Sequence, residues 1–193
     1  MDEDLRRPMN AGDVTLLLQG IRLGTPDAVS QLIEAVYGEL RRMAEVKMRA
    51  IRPGHTLLPT ALVNEAFLRL VGNSDQLEDR GHFFGAAARA MERVLVDYAR
   101  QKKALKRGGA DAQRVTLHDL HVQATDSSLC VLEVHEAIST LERETPDLAL
   151  LVRFRFFMGM TLEQIAELEG VSLATVKRRW TFARAWLYDH LEG

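Results

Sequence analysis

The sequence predicts an all-α protein: two small helical domains joined by a linker, the C-terminal one a helix-turn-helix. Three observations predict it. Apolar residues recur at helical spacing along almost the whole chain. Proline or a capping residue opens several of these stripes, and glycine closes them. No alternating strand pattern of useful length interrupts them. With 193 residues the chain suits one or two small domains, and its 47% hydrophobic content is ordinary for a protein that buries a core.

The elements follow in order. Asp13 is placed to cap a short first helix, with Val14, Leu17, Leu18 and Ile21 on one face and Gly24 as its stop. Thr25 and Pro26 start the second, as N-cap and first helical residue. Its inward stripe is Val29, Leu32, Ile33, Val36, Tyr37, Leu40, Met43 and Ala44, and Pro53-Gly54 ends the exit loop. Pro59 and Thr60 open a third helix, with Leu62, Val63, Ala66, Phe67 and Leu70 inward and Gly72 closing it. After a polar loop, Phe83 or Phe84 begins a long helix that reaches about Lys106 and ends at Gly108-Gly109. Residues 108–128 hold little periodicity; "VTLHDLHV" alternates briefly, and the segment reads as a linker. A second helical set follows. Val131, Val134, Ile138 and Leu141 form one stripe, and Thr145-Pro146 starts another helix that ends at Gly159. The expected division is 12–107, a linker over 108–128, and 129–193.

The last helical pair lies in "TLEQIAELEGVSLATVKRRW", residues 161–180. Two short helices around a glycine turn form a DNA-reading unit in many proteins and a plain structural corner in many others. In the second helix Val176, Trp180, Ala183 and Leu187 share a core stripe, and Ala174, Arg178, Thr181 and Ala185 lie opposite. Small residues around one arginine allow close approach to a groove, and Lys177 and Arg179 on the flanks suit phosphates. Ser172 is the expected N-cap, leaving free N–H groups at the helix start. Ala166 is small, as close packing of the pair requires. Glu169 is out of pattern: an apolar residue is usual just before such a turn, and Leu168 comes one place early, which suggests a slightly shifted turn.

Charge is patterned although its sum is small. The formal net charge is −2, which does not announce a nucleic-acid binder. Within 89–107, however, Arg89, Arg93, Arg100, Lys102, Lys103, Lys106 and Arg107 face only Glu92 and Asp97. On a helical wheel Arg89, Arg93, Arg100, Lys103 and Arg107 cluster opposite Ala87, Met91, Val94 and Tyr98. Such a face self-repels without a counter-charge, and a phosphate backbone supplies one. His82, Phe83 and Phe84 stand just before it. Aromatic rings beside cations are what unpaired bases stack on, and core packing is the equal alternative for each Phe.

The order of these pieces resembles a bacterial sigma factor of the extracytoplasmic-function type, over nearly the whole chain. "TALVNEAFLRLV" looks like the region 2 helix that docks on core RNA polymerase. "HFFGAAARAMERVLVDYARQKKALKRGG" is similar to the part that melts and reads the minus-ten element. "LALLVRFRFFMGMTLEQIAELEGVSLATVKRRWTFARAWL" is similar to region 4, which reads the minus-thirty-five element. The resemblance implies core RNA polymerase and promoter DNA as partners and leaves room for an anti-sigma factor. It implies a polymerase-binding set of Asn64, Glu65, Leu68 and Arg69. It implies DNA-binding sets of Ser172, Thr175, Lys177, Arg178, Arg179 and Thr181 in the C-terminal part and of His82, Phe83, Arg89, Arg93, Arg100, Lys103 and Arg107 in the N-terminal part. The chain has no Trp before residue 180, so it lacks the tryptophan wedge of primary sigma factors.

Other classes fit less well. A helix-turn-helix regulator that does not bind polymerase accounts for the final motif but not for 59–107. No phosphate-cradling glycine loop or nucleophile motif points to an enzyme, and no cofactor is expected. His118, His121, Cys130 and His135 do not have a convincing metal spacing. The single Cys130 excludes an internal disulfide framework and fits a reducing cytoplasm. No apolar run approaches the ~18 residues of a membrane span, and the N-terminal residues lack the apolar core of a signal peptide.

Overall fold

The computed structural model describes residues 11–50, 57–71, 77–105 and 127–192. Among these residues the regular structure is helical throughout: α1 (Ala11–Arg22), α2 (Ala28–Ala50), α3 (Pro59–Val71), α4 (Arg80–Leu105), α5 (Ser127–Glu144), α6 (Pro146–Phe156), α7 (Leu162–Glu169) and α8 (Leu173–Glu192). The all-α class is therefore as expected.

Several starts differ from the sequence expectation, each for a local reason. α1 begins before Asp13, which sits in the first turn instead of capping it. Gly24 does stop α1, with φ of 70°. α2 begins at Ala28 because Asp27 adopts φ of 63°, a left-handed turn residue placed between Pro26 and the helix. Ala28 then takes the inward place and Val29 is turned outward. α4 starts at Arg80, earlier than Phe83, with the Asp79 carboxylate accepting the His82 N–H at 2.8 Å. Thr145 stands at the N-cap of α6, but its hydroxyl donates to the Leu141 carbonyl at 3.4 Å instead of capping.

The expected inward stripes are otherwise realised. Leu62, Val63, Ala66, Phe67 and Leu70 of α3 are all buried, as are Val131, Val134, Ile138 and Leu141 of α5. α4 is the hub. It packs against α3 and α1 on one side and against α5 and α6 on the other. One continuous apolar cluster runs from Val14 in α1 to Leu187 in α8. The two helical sets expected as separate bodies thus pack against each other in this structure. Residues 108–126 of the expected linker lie outside the described residues, and 127–128 belong to α5.

The seam between the sets has an unusual composition. The buried charged side chains among the described residues are Lys47, Glu92 and Arg153. All three lie where α2 and α4 meet α5 and α6.

Candidate nucleic-acid interface

The C-terminal motif is built by local hydrogen bonding. Thr161 caps α7 in a reciprocal box: its hydroxyl accepts the Gln164 N–H at 3.2 Å, and the Gln164 side chain accepts the Thr161 N–H at 2.8 Å. Gly170 closes α7 with φ of 64°. Its N–H reaches the Glu167 carbonyl at 3.3 Å, and the Val171 N–H reaches Ala166 at 3.1 Å, a Schellman arrangement. Ser172 caps α8 as expected, its hydroxyl accepting the Thr175 N–H at 3.1 Å and pairing with the Thr175 hydroxyl at 2.9 Å.

Both faces of α8 lie as the wheel indicated. Val176, Trp180, Ala183 and Leu187 are buried; Ala174, Lys177, Arg178, Thr181 and Ala185 are exposed. The Thr181 hydroxyl donates to the Lys177 carbonyl at 2.9 Å, so its proton is engaged within the helix.

Glu169 has a specific place. Gly170 itself is the left-handed residue, so the turn is not shifted. Leu168 packs against the core, and the Glu169 carboxylate accepts a hydrogen bond from Arg179 at 2.9 Å. Burial pushes the Glu169 carboxyl above its usual range, Arg179 opposes this and Asp147 adds to it. Arg179, expected to be a phosphate contact, is therefore tied to the first helix of the motif.

The basic face of α4 is present, with Arg93, Arg100 and Lys103 exposed. Arg89 is half exposed and lies 3.5 Å from the Glu142 carboxylate of α5. Arg107 falls outside the described residues. His82 is exposed, 3.7 Å from Glu78. Phe83 is a correction. It is 1% exposed, packed edge-on against Phe84 at 5.5 Å and 6.5 Å from Phe67, so no base can reach its ring here. Continuing the stripe of Ala87 and Met91 back by one turn would have placed both Phe residues in the core.

On α3, Asn64 and Glu65 are exposed and Leu68 is 72% exposed. Asn64 accepts a hydrogen bond from the Tyr37 hydroxyl at 3.3 Å, and Arg69 pairs with Asp97 at 3.0 Å.

The sequence did not reveal the ion cluster at the seam. Arg153 of α6 donates to Glu92 of α4 at 2.7 Å and makes a two-pronged pair with Glu142 of α5 at 2.8 and 2.7 Å. His135 of α5 stands 2.9 Å from Glu92. Burial works against the Arg153 charge, but its bonds to Glu142 and Glu92 outweigh it and hold the guanidinium above its ordinary value. Those bonds, opposed by burial, hold Glu142 below the ordinary carboxylate range. Partners 61 positions apart leave no periodic trace in a sequence.

Among the described residues, no group of three or more His, Cys, Asp or Glu is arranged to hold a metal ion. No described helix is long and apolar enough to cross a membrane.

Fold and motif together define an all-α protein with a helix-turn-helix at its C-terminal end. Residues 11–193 match the family described as ECF sigma factor, and the chain belongs to that family. Its role is accordingly that of a sigma factor in promoter-directed transcription. No curated protein matches the chain closely enough to serve as a relative.

Proposed function

We propose that this chain docks on core RNA polymerase through the outer face of α3 and delivers it to promoters in the bacterial cytoplasm, reading an upstream duplex element with α8 and a downstream one with α4. The observation that carries this is the outer face of α8. Ala174, Arg178, Thr181 and Ala185 are exposed beside Lys177, at the end of a helix whose other side is locked into the core. A helix held this firmly can present one arginine to base edges, with a cation beside it for phosphate. Asn64, Glu65, Leu68 and Arg69 supply the polymerase contact.

Promoter opening costs roughly 1–2 kcal/mol per base-pair step. Arg93, Arg100, Lys103 and the exposed ring of His82 supply the cationic and stacking groups that hold an opened strand. The reading leaves room for an anti-sigma factor as a further partner.

Run-off transcription with purified core polymerase tests the assignment. The intact chain should start transcripts at a promoter on which core polymerase alone is silent. A chain with Glu65→Arg and Leu68→Ala should lose both polymerase capture and transcription while retaining its helicity. Sequence-specific DNA binding without any polymerase capture would instead make the chain a regulator.

A further inference from the structure

Phe182 of α8 is 58% exposed and lies outside the apolar cluster. Among the described residues its ring meets no other ring and no cation. On the helical wheel it stands about 40° from Arg178 and about 140° from Leu187 of the core stripe. It therefore belongs to the outer face, one turn beyond Arg178. Its neighbours leave the ring uncovered. Ala185 is small, and the Thr181 hydroxyl is engaged with the Lys177 carbonyl at 2.9 Å. Trp186, one turn further on, is already stacked on His190 at 4.8 Å, with the ring planes 15° apart. Tyr188, also exposed, is set about 120° round the helix from Phe182. Asp189 returns to the outer face two turns beyond Phe182, and its carboxylate repels a phosphate. The part of α8 that suits a groove thus ends before Asp189, and Phe182 lies within it.

A duplex offers this ring one matching chemistry. Base edges in the major groove present hydrogen-bond donors and acceptors, which a phenyl ring does not satisfy, and the apolar feature among them is the 5-methyl group of thymine. We propose that Phe182 is a specificity-determining residue that covers the 5-methyl group of a thymine in the upstream duplex element. The inference rests on the reading of duplex DNA by α8 proposed above and adds an apolar contact to the polar one of Arg178. Four residues of helix advance about 6 Å, and stacked base pairs advance about 3.4 Å. The thymine therefore lies about one or two base pairs from the base met by Arg178. Charge favours DNA over a protein as the occupant, because the ring continues a face on which Lys177 and Arg178 stand exposed among small residues. Cytosine in place of that thymine keeps a pyrimidine ring but lacks the methyl group, so Phe182 discriminates between the two where a phosphate contact does not.

The probe is a pool of duplexes with a randomised upstream segment, from which the complex of the full-length chain with core polymerase recovers a preferred sequence. Each thymine of that segment is then replaced in turn by deoxyuridine, which pairs identically and lacks only the 5-methyl group. One replacement should weaken binding by the parent complex about fourfold, the transfer value of one buried carbon. With Phe182→Ala, the thymine and deoxyuridine duplexes should bind equally at that position. The base preference at the Arg178 position and the salt dependence should stay as in the parent, since no phosphate contact is lost. Phe182→Leu keeps an apolar side chain and should retain part of the discrimination. The ring is exposed, and Ala and Leu are strong helix formers, so both variants should keep parental helicity. A Phe182→Ala complex that distinguishes thymine from deoxyuridine as the parent does, or a parent that distinguishes them nowhere, overturns the assignment. Weaker polymerase capture by Phe182→Ala with an unchanged ratio of thymine to deoxyuridine binding makes the ring a protein contact and overturns it as well. A complex that recovers no preferred sequence defeats the proposed function itself, before any thymine is replaced.

Discussion

At the scale of single residues, Arg178, Lys177 and Arg179 are three neighbouring cations with three different surroundings. Arg178 stands outermost among small residues, Lys177 is exposed on the flank, and Arg179 is held by Glu169 at 2.9 Å. Arg178→Ala should relax base preference at one upstream position, by ~1–3 kcal/mol for a two-pronged guanine contact. Lys177→Ala should weaken all sequences alike. Competition binding on a set of single-base duplex variants separates the two, and a uniform loss in both mutants would make Arg178 a phosphate contact only. Glu169→Gln frees Arg179 from its anionic partner. The salt dependence of duplex binding should then steepen by about one phosphate contact, a change of ~0.9 in the log–log slope. An unaltered slope would mean that Arg179 does not reach the backbone even when released.

At the scale of elements, most of the fold was legible because each helix carries its own instructions. The stripes of α3, α5 and α8 are spaced at helical period and became buried faces, and Gly24 and Gly170 stop helices with positive φ, whereas α6 ends at Phe156, short of Gly159. Starts were less legible. The left-handed Asp27 displaced α2, and Asp79 rather than an aromatic residue began α4. Both depend on where the preceding turn leaves the chain, which periodicity does not encode. The two turn glycines of the C-terminal half differ in surroundings, and that difference is measurable. A Cβ at Gly170 meets nothing within 4 Å, so Gly170→Ala should cost only the left-handed strain, ~1–2 kcal/mol. A Cβ at Gly159 lies 3.3 Å from Val46 and 3.6 Å from the Lys47 amide, so Gly159→Ala adds crowding at the seam and should cost more. Thermal denaturation should rank the melting temperatures as parent, Gly170→Ala, then Gly159→Ala. The reverse order of the two variants would show that Gly159 does not press on α2.

At the scale of the whole molecule, the sequence supplied the two sets of helices but not their relation. The candidate surfaces on α3 and α8 could be found because outward residues are what remains once a stripe is assigned inward. The seam could not be found, since Glu92 reads as one acid among cations until Arg153 and His135 are brought beside it. Its electrostatics carry a pH signature. Glu142 is held below the ordinary carboxylate range by the hydrogen bonds and charge of Arg153 on α6 and by Arg89 on α4, with burial opposing them. A depressed folded-state value means that the unfolded chain takes up the proton first. The stabilisation is therefore complete above the ordinary glutamate value of ~4.3 and is lost as pH falls through the depressed one. Glu169 has the opposite sign. Burial raises its value, so the folded chain takes up its proton first and the associated penalty is relieved in acid. A comparison of the parent with Glu142→Gln isolates the seam, because Glu169 is common to both. The parent should be the more stable of the two by a constant margin from about pH 8 to pH 5. That margin should shrink as pH falls below the ordinary glutamate value and vanish once Glu142, whose folded value is depressed, is itself protonated. Denaturant unfolding across this range measures the margin directly. A margin that widened in acid would show that Glu142 does not draw its stabilisation from Arg153.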